Sequence, residues 1–149
     1  MKSDLTILLA EDSEDDVTLV RMALERAGIT NPLHVCHDGE EVVAYLSAQG
    51  PYTDRQKYPF PRLLILDLKM PKMNGLDVLR WLRAHPACSV IPTLVLSSSE
   101  LRSDVQEAYS LGANAFAAKP SGLRELGEFF KNFLVFWSQC KLPDLPQKC

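Results

Sequence analysis

No Cys-x-x-C pair and no clustered Cys/His spacing occurs in this chain. The four cysteines, Cys36, Cys88, Cys140 and Cys149, are scattered, and His34, His37 and His85 share no motif. That excludes the usual thiolate and imidazole zinc sites and any paired-thiol redox motif, and it implies no disulfide framework. Cys36 and Cys88 read as small fillers of a strand and a loop, Cys140 and Cys149 as exposed thiols. Apolar runs of transmembrane length are also lacking. The opening "LTILLA" (residues 5–10) is too short for a secretory leader and has no small-residue cleavage site after it, so a cytoplasmic protein without a membrane partner is expected. Nor is there an excess of positive charge: 16 basic residues face 19 acidic ones, a net charge of −3. No global field draws such a chain to nucleic acid.

What is present describes one α/β domain spanning residues 1–149. Hydrophobic residues make up 46% and charged residues 23%, a globular balance in a length that suits one core. "LTILLA" is a continuous apolar run, the mark of a strand buried on both faces. Ser13 and Asp16 then have the spacing of a capping box, Val17, Val20, Ala23, Leu24 and Ala27 recur with helical period, and Gly28 stands where a helix stops. "PLHVCHD" gives a short second strand, and Asp38 with Glu41 starts a second helix. Residues 48–62, rich in Pro and charge, form a long loop of the functional or mobile kind. "RLLILD" (62–67) is a third strand, Leu76, Leu79 and Leu82 mark a third helix, and "TLVLSSS" (93–99) is a fourth strand. Val105, Ala108, Tyr109 and Leu111 belong to a fourth helix closed by Gly112, "AFAAK" is a fifth strand, and residues 123 to about 140 form a last helix. Five strands alternating with five helices predict a doubly wound parallel sheet, covered on both faces, with ligands bound beyond the carboxyl ends of its strands.

Those ends carry chemistry. Strand one runs into Glu11 and Asp12, strand three into Asp67, strand four into Ser97 and strand five into Lys119. If strands one and three are neighbours, three carboxylates converge and need a counter-charge. Oxygen donors without Cys or His favour a hard divalent cation, Mg²⁺ foremost. Lys119 adds a compact point charge suited to a phosphoryl oxygen.

The acid pair in "LLAEDSEDD", the aspartate in "LILDLKMPKMNG", the hydroxyl in "VLSSS" and the Lys-Pro in "AFAAKP" together resemble the receiver domains of two-component response regulators. The likeness runs from residue 5 to about 137. It implies a flavodoxin-like (βα)5 three-layer sandwich with strand order 2-1-3-4-5, and a phosphoacceptor at Asp67 charged by a sensor histidine kinase. It further implies Mg²⁺ held by Asp12, Asp67 and the backbone carbonyl of Lys69, with Glu11 acting through a water. Ser97 and Lys119 would bind the phosphoryl group, Phe116 would turn inward as the switch, and Lys69 and Ser99 would tune phosphoryl lifetime. The resemblance also implies a cis bond before Pro120. Many receivers carry Tyr where Phe116 stands, and a bulky residue where Ser121 follows the Lys-Pro.

Residues 141–149 hold no DNA-binding or catalytic module, so the expected output is binding or phosphoryl relay. In the last helix, Leu126, Phe129, Phe130, Phe133, Leu134, Phe136 and Trp137 cover roughly 160° of the circumference, wider than one core-facing stripe needs. The excess suggests a partner surface formed by Phe129, Phe133, Phe136 and Trp137, and by resemblance a homodimer through the helix four, strand five, helix five face. The 48–62 insertion with the 141–149 tail is similar to the small response regulators paired with cyanobacterial phytochromes. Aspartyl-phosphate phosphatases place a second Asp two residues after the first. Lys69 stands there instead, so no enzyme acting on outside substrates is expected. The rival reading is a receiver-fold scaffold that is not phosphorylated.

Overall fold

In the computed structural model, which describes residues 5–149, the apolar runs become five parallel strands. These are β1 (Ile7–Ala10), β2 (Leu33–Cys36), β3 (Leu63–Leu66), β4 (Thr93–Ser97) and β5 (Ala115–Ala118). Their order is β2-β1-β3-β4-β5, with Ile7 opposite both Leu33 and Leu63 and Leu94 opposite Ala115. The helices are α1 (Glu14–Arg26), α2 (Gly39–Leu46), α3 (Gly75–Arg83), α4 (Arg102–Ser110) and α5 (Leu123–Ser138). The expected first, third and fourth strands are shorter by one or two residues at their ends, where the chain leaves the sheet.

Alternation along the strands splits the core in two. Ile7, Leu9, Leu63, Ile65, Leu94 and Leu96 face α1 and α5, while Leu8, Ala10, Leu64, Leu66 and Val95 face α2, α3 and α4. A parallel sheet covered on both sides needs apolar residues at every position, and so each strand reads as an unbroken run. Burying each such side chain stabilises by about 1.5–3 kcal/mol, which makes register slips costly. The β3–α3 turn closes tightly because Gly75 lies against the Asp67 carbonyl, where a Cβ would collide, and its N–H donates to Leu68 O at 2.9 Å.

Residues 48–62 are anchored rather than loose. Tyr52, within a 3-10 turn at Gly50–Thr53, and Tyr58 beyond it pack ring to ring with Tyr45, at centroid separations of 4.9 and 5.9 Å. Arg55 lies at the centre of this segment. Its guanidinium donates to the carbonyls of Tyr45, Leu46 and Tyr58 at 2.7–3.1 Å, so it neutralises the negative end of α2, whose last turn has no basic residue of its own. Removing it by Arg55→Ala strips the charged donor from the Tyr45, Leu46 and Tyr58 carbonyls, leaving Leu46 O with Cys149 N–H and Tyr45 O with Ala48 N–H, and should cost about 2 kcal/mol, read as a lower urea midpoint at unchanged slope.

Two sequence expectations fail here. Cys88 and Cys149 are not a loop filler and a free thiol: they form a disulfide, with Cα atoms 5.7 Å apart. Trp137 is not part of a partner surface: it is only 9% exposed, sits in the α1–α5 cluster and stacks on Phe133. Phe136, at 67% exposure, is the outward member of that set, and Phe129 and Phe133 are half-buried. A 100° step per residue cannot point neighbours 136 and 137 the same way. No helix among the described residues is long and apolar enough to cross a membrane.

Candidate functional site

The carboxyl ends of β1, β3, β4 and β5 open into a cleft of about 500 Å³ lined by Glu11, Asp12, Asp16, Asp67, Lys69 and Lys119, among others. Backbone bonds extending the sheet fix its walls. Glu11 N–H donates to Cys36 O, Asp67 N–H to Ala10 O and Lys119 N–H to Ser97 O. Because β1 and β3 are paired, Glu11, Asp12 and Asp67 place carboxylate oxygens within 4.8 Å of one another. Glu11 and Asp67 are buried, at 3% and 6% exposure, and Asp12 is open to solvent.

Each buried acid is held at both oxygens. Glu11 accepts from Ser13 N–H at 3.2 Å and from Lys119 Nζ at 2.9 Å; Asp67 accepts from Lys69 N–H at 3.3 Å and from Lys119 Nζ at 3.4 Å. The third partner of Lys119 is Asp16 Oδ2, at 3.1 Å. Sequence reasoning missed this residue. Ser13 Oγ does accept from Asp16 N–H, but the Asp16 carboxylate turns to Lys119, and it is Glu11 that takes the Ser13 N–H. The expected capping box is therefore half made. The i, i+3 spacing serves either role; the cue lay one helical turn past the acid pair, on the face toward strand five.

Three carboxylates share the Lys119 ammonium, with Asp12 clustered beside two of them, and protonation follows from that imbalance. Burial pushes the Glu11 carboxyl up to about 7; the hydrogen bond from Lys119 pulls it down, and the charge of Asp67 raises it again. For Lys119, burial alone would lower the ammonium, but bonds to Glu11 and Asp16 and the charge of Asp67 outweigh it and hold the group above its ordinary value. Lys119 is thus a fixed cation, and Glu11 is the acid that shares a proton with the environment. The donor set is all oxygen, clustered and short of positive charge, which fits a hard divalent cation.

The remaining expected residues divide. Lys69 lines the cleft. Ser97 is fully buried and its Oγ accepts from Ser99 N–H at 3.2 Å, while Ser98 faces the cleft. Ser99 is also buried, and its hydroxyl donates to Asp104 on α4 at 2.6 Å. Phe116 is half-buried on β5 against the α2–α4 cluster, with its N–H donated to the Tyr109 hydroxyl at 3.1 Å. A hydroxyl absent at 116 is thus supplied next to it from α4. The expected cis bond before Pro120 is not found: every peptide among the described residues is trans. The lysine needs no such kink, since three carboxylates aim its head and Ser97 O fixes its backbone, and trans is the cheaper isomer by about 0.5–1 kcal/mol.

Comparison with known proteins agrees with this geometry. The response regulator receiver domain family matches residues 7–131. Response regulator Rcp1 of Synechocystis is 35% identical over 131 residues, 88% of this chain and 87% of Rcp1. The crystal structure of the phosphorylated cyanobacterial phytochrome response regulator RcpA superimposes with a TM-score of 0.85 at 32% identity, covering 95% of this chain and 99% of that one. The Mn²⁺-bound form of Rcp1 superimposes at 0.82 with 34% identity, covering 94% and 99%. With the sheet order, the acid cluster and the strand-five lysine all in place, this chain belongs to the response regulator receiver family.

Proposed function

We propose that this receiver accepts a phosphoryl group on Asp67 from a sensor histidine kinase of the phytochrome type, with Mg²⁺ as its metal. The observation that carries the reading is the buried Asp67 carboxylate at the tip of β3, held between Lys119 and the acid pair. One Asp67 oxygen attacks the phosphorus of the donor phosphohistidine in line, and the nitrogen–phosphorus bond breaks with the imidazole as leaving group. Lys119, already at Asp67, turns to a phosphoryl oxygen and remains within reach of Asp16 and Glu11. Ser97 leaves the Ser99 amide to donate to the phosphoryl group, and Phe116 moves into the space that opens between α4 and β5. Asp12, Asp67 and the Lys69 carbonyl would hold Mg²⁺, with Glu11 acting through a water, and the ion would supply charge neutralisation for the transferring oxygens. Lys69, on the cleft wall, and Ser99, through its bond to Asp104, set how readily water reaches the product.

The kinase class is supported by the likeness to RcpA, a phytochrome response regulator. A second copy of the chain docks on the α4–β5–α5 face, where Leu101, Tyr109, Val135 and Phe136 are exposed apolar side chains.

The test is intact mass after incubation with Mg²⁺ and a small phosphoryl donor. One added phosphoryl group is expected, and none in EDTA. No gain together with no metal binding would leave an interaction scaffold of receiver shape. Metal affinity should also follow the Glu11 proton. That group is largely protonated below about pH 7 and must ionise to serve the metal, so Mg²⁺ binding should be about tenfold weaker at pH 6 than at pH 8 by calorimetric titration.

A further inference from the structure

The segment after α5 crosses from one face of the sheet to the other. Leu142 packs in the α1–α5 cluster, whereas Leu145 and Cys149 pack against the α2–α4 cluster. Three attachments hold its far end. Cys149 N–H donates to Leu46 O at 2.9 Å, Arg55 Nε donates to Gln147 O at 2.8 Å, and the Cys149 sulfur is bonded to Cys88 in the turn between α3 and β4. The first two are single hydrogen bonds, the one from Arg55 exposed to solvent, and they oppose the entropy of ordering residues 141–149. The covalent attachment decides whether the segment stays. It also lies at the amino ends of the strands, since α2 finishes and β4 begins there, on the edge opposite the acidic cleft.

We propose that the Cys88–Cys149 bridge is a site of thiol–disulfide exchange with a dithiol co-reactant, and that the exchange docks and releases residues 141–149. The two sulfurs differ in access. Cys88 is fully buried and Cys149 half-buried, so an incoming thiolate meets Cys149 first. It bonds to Cys149 Sγ, the Cys88–Cys149 bond breaks, and Cys88 leaves as a thiolate that takes up a proton. The second thiol of the co-reactant then displaces Cys149 and leaves as a disulfide. Two electrons and two protons pass from the dithiol to the two cysteines. Because the leaving sulfur is buried, the exchange proceeds through brief opening of the segment. The other thiols do not compete: Cys36 is buried, with its thiol pushed far upward, and the Cys140 thiol donates to Phe136 O on α5.

Where thiols are kept reduced, a bridge of this kind is transient and regulatory. Its reduction removes the Leu46 and Gln147 contacts together and lays open the α2 end with Tyr52 and Tyr58 beside it. The receiver thereby gains a second input, independent of the residues that handle the phosphoryl group.

The test is hydrogen exchange of the full chain, with and without dithiothreitol, beside Cys149→Ser. Reduction should speed exchange of the Cys149 amide, whose N–H donates to Leu46 O, at least tenfold while β1, β3 and β4 keep their protection, and oxidised dithiothreitol should restore the slow rate. Cys149→Ser should show the fast rate under both conditions. Equal protection of the segment in both redox states would overturn the proposal. So would a peptide map in which the oxidised protein bridges Cys149 to another chain. Cys149 lies outside the core strands, so its variant keeps the test decisive even if Cys88→Ser fails to fold.

Discussion

Asp67→Asn is expected to abolish phosphoryl uptake while leaving the fold as stable as before. Asn keeps the shape of the side chain and can still accept from Lys69 N–H, so packing around the 6%-exposed site is unchanged. It loses the nucleophilic carboxylate, and nothing else in the cleft sits at the tip of β3. It also removes a negative charge that raises the proton affinity of Glu11. Lys119 keeps Glu11 and Asp16, at 2.9 and 3.1 Å, and is left with fewer acids to satisfy. The charge lost to the lysine and the repulsion lost to Glu11 oppose each other, so the melting temperature should move by no more than about 4 °C. With one of three clustered carboxylates gone, Mg²⁺ affinity should drop at least tenfold. Intact mass, thermal melting and metal titration on the same preparation check all three. A stoichiometric phosphoryl adduct on the variant would assign the acceptor to another acid, with Asp12 the nearest exposed candidate.

The sheet and its strand-tip residues were legible because a doubly covered parallel strand has no polar face to obscure it. The apolar run ends where the sheet ends, and the next residue is the site. Glu11, Asp67 and Lys119 could therefore be placed from local pattern alone, and the structure brings all three together. Asp16 could not, since a carboxylate three residues after Ser13 has the same spacing whether it caps the helix or reaches a lysine 103 residues away. The Cys88–Cys149 bridge was opaque for a related reason. A separation of 61 residues carries no spacing signal, and the pairing follows from where a tail folds back. The 48–62 segment read as a breaker because its order comes from Arg55 and three tyrosines acting across distance, not from period or caps. Trp137 shows the limit of counting a helix face by residue type: an aromatic excess says that some side chains are exposed, not which.

Lys119→Met is the substitution expected to disturb stability most, and its effect should grow with pH. Met keeps an unbranched apolar stem close to that of the lysine but leaves Glu11, Asp16 and Asp67 without their shared cation. Breaking a buried pair by removing one partner costs about 3–5 kcal/mol. The cleft is open on one side and Asp16 is partly solvated, so about 3 kcal/mol is the reasonable size at pH 8. The sign of the pH trend follows from Glu11, whose proton affinity in the folded chain already stands at about 7 against 4.5 for the free side chain. Between those values the folded state binds more protons than the unfolded one, so ionising Glu11 lowers stability as pH rises. Lys119 limits that penalty through its hydrogen bond, and without it Glu11 should hold its proton to higher pH still. At pH 5 Glu11 is protonated in both proteins, and the difference between them comes from Asp67 and Asp16 alone. Urea unfolding of wild type and variant at pH 5 and pH 8 should therefore show a gap at least twice as wide at the higher pH. A gap that is constant, or wider at pH 5, would mean that Lys119 acts on stability through Asp67 and Asp16 rather than through the Glu11 proton.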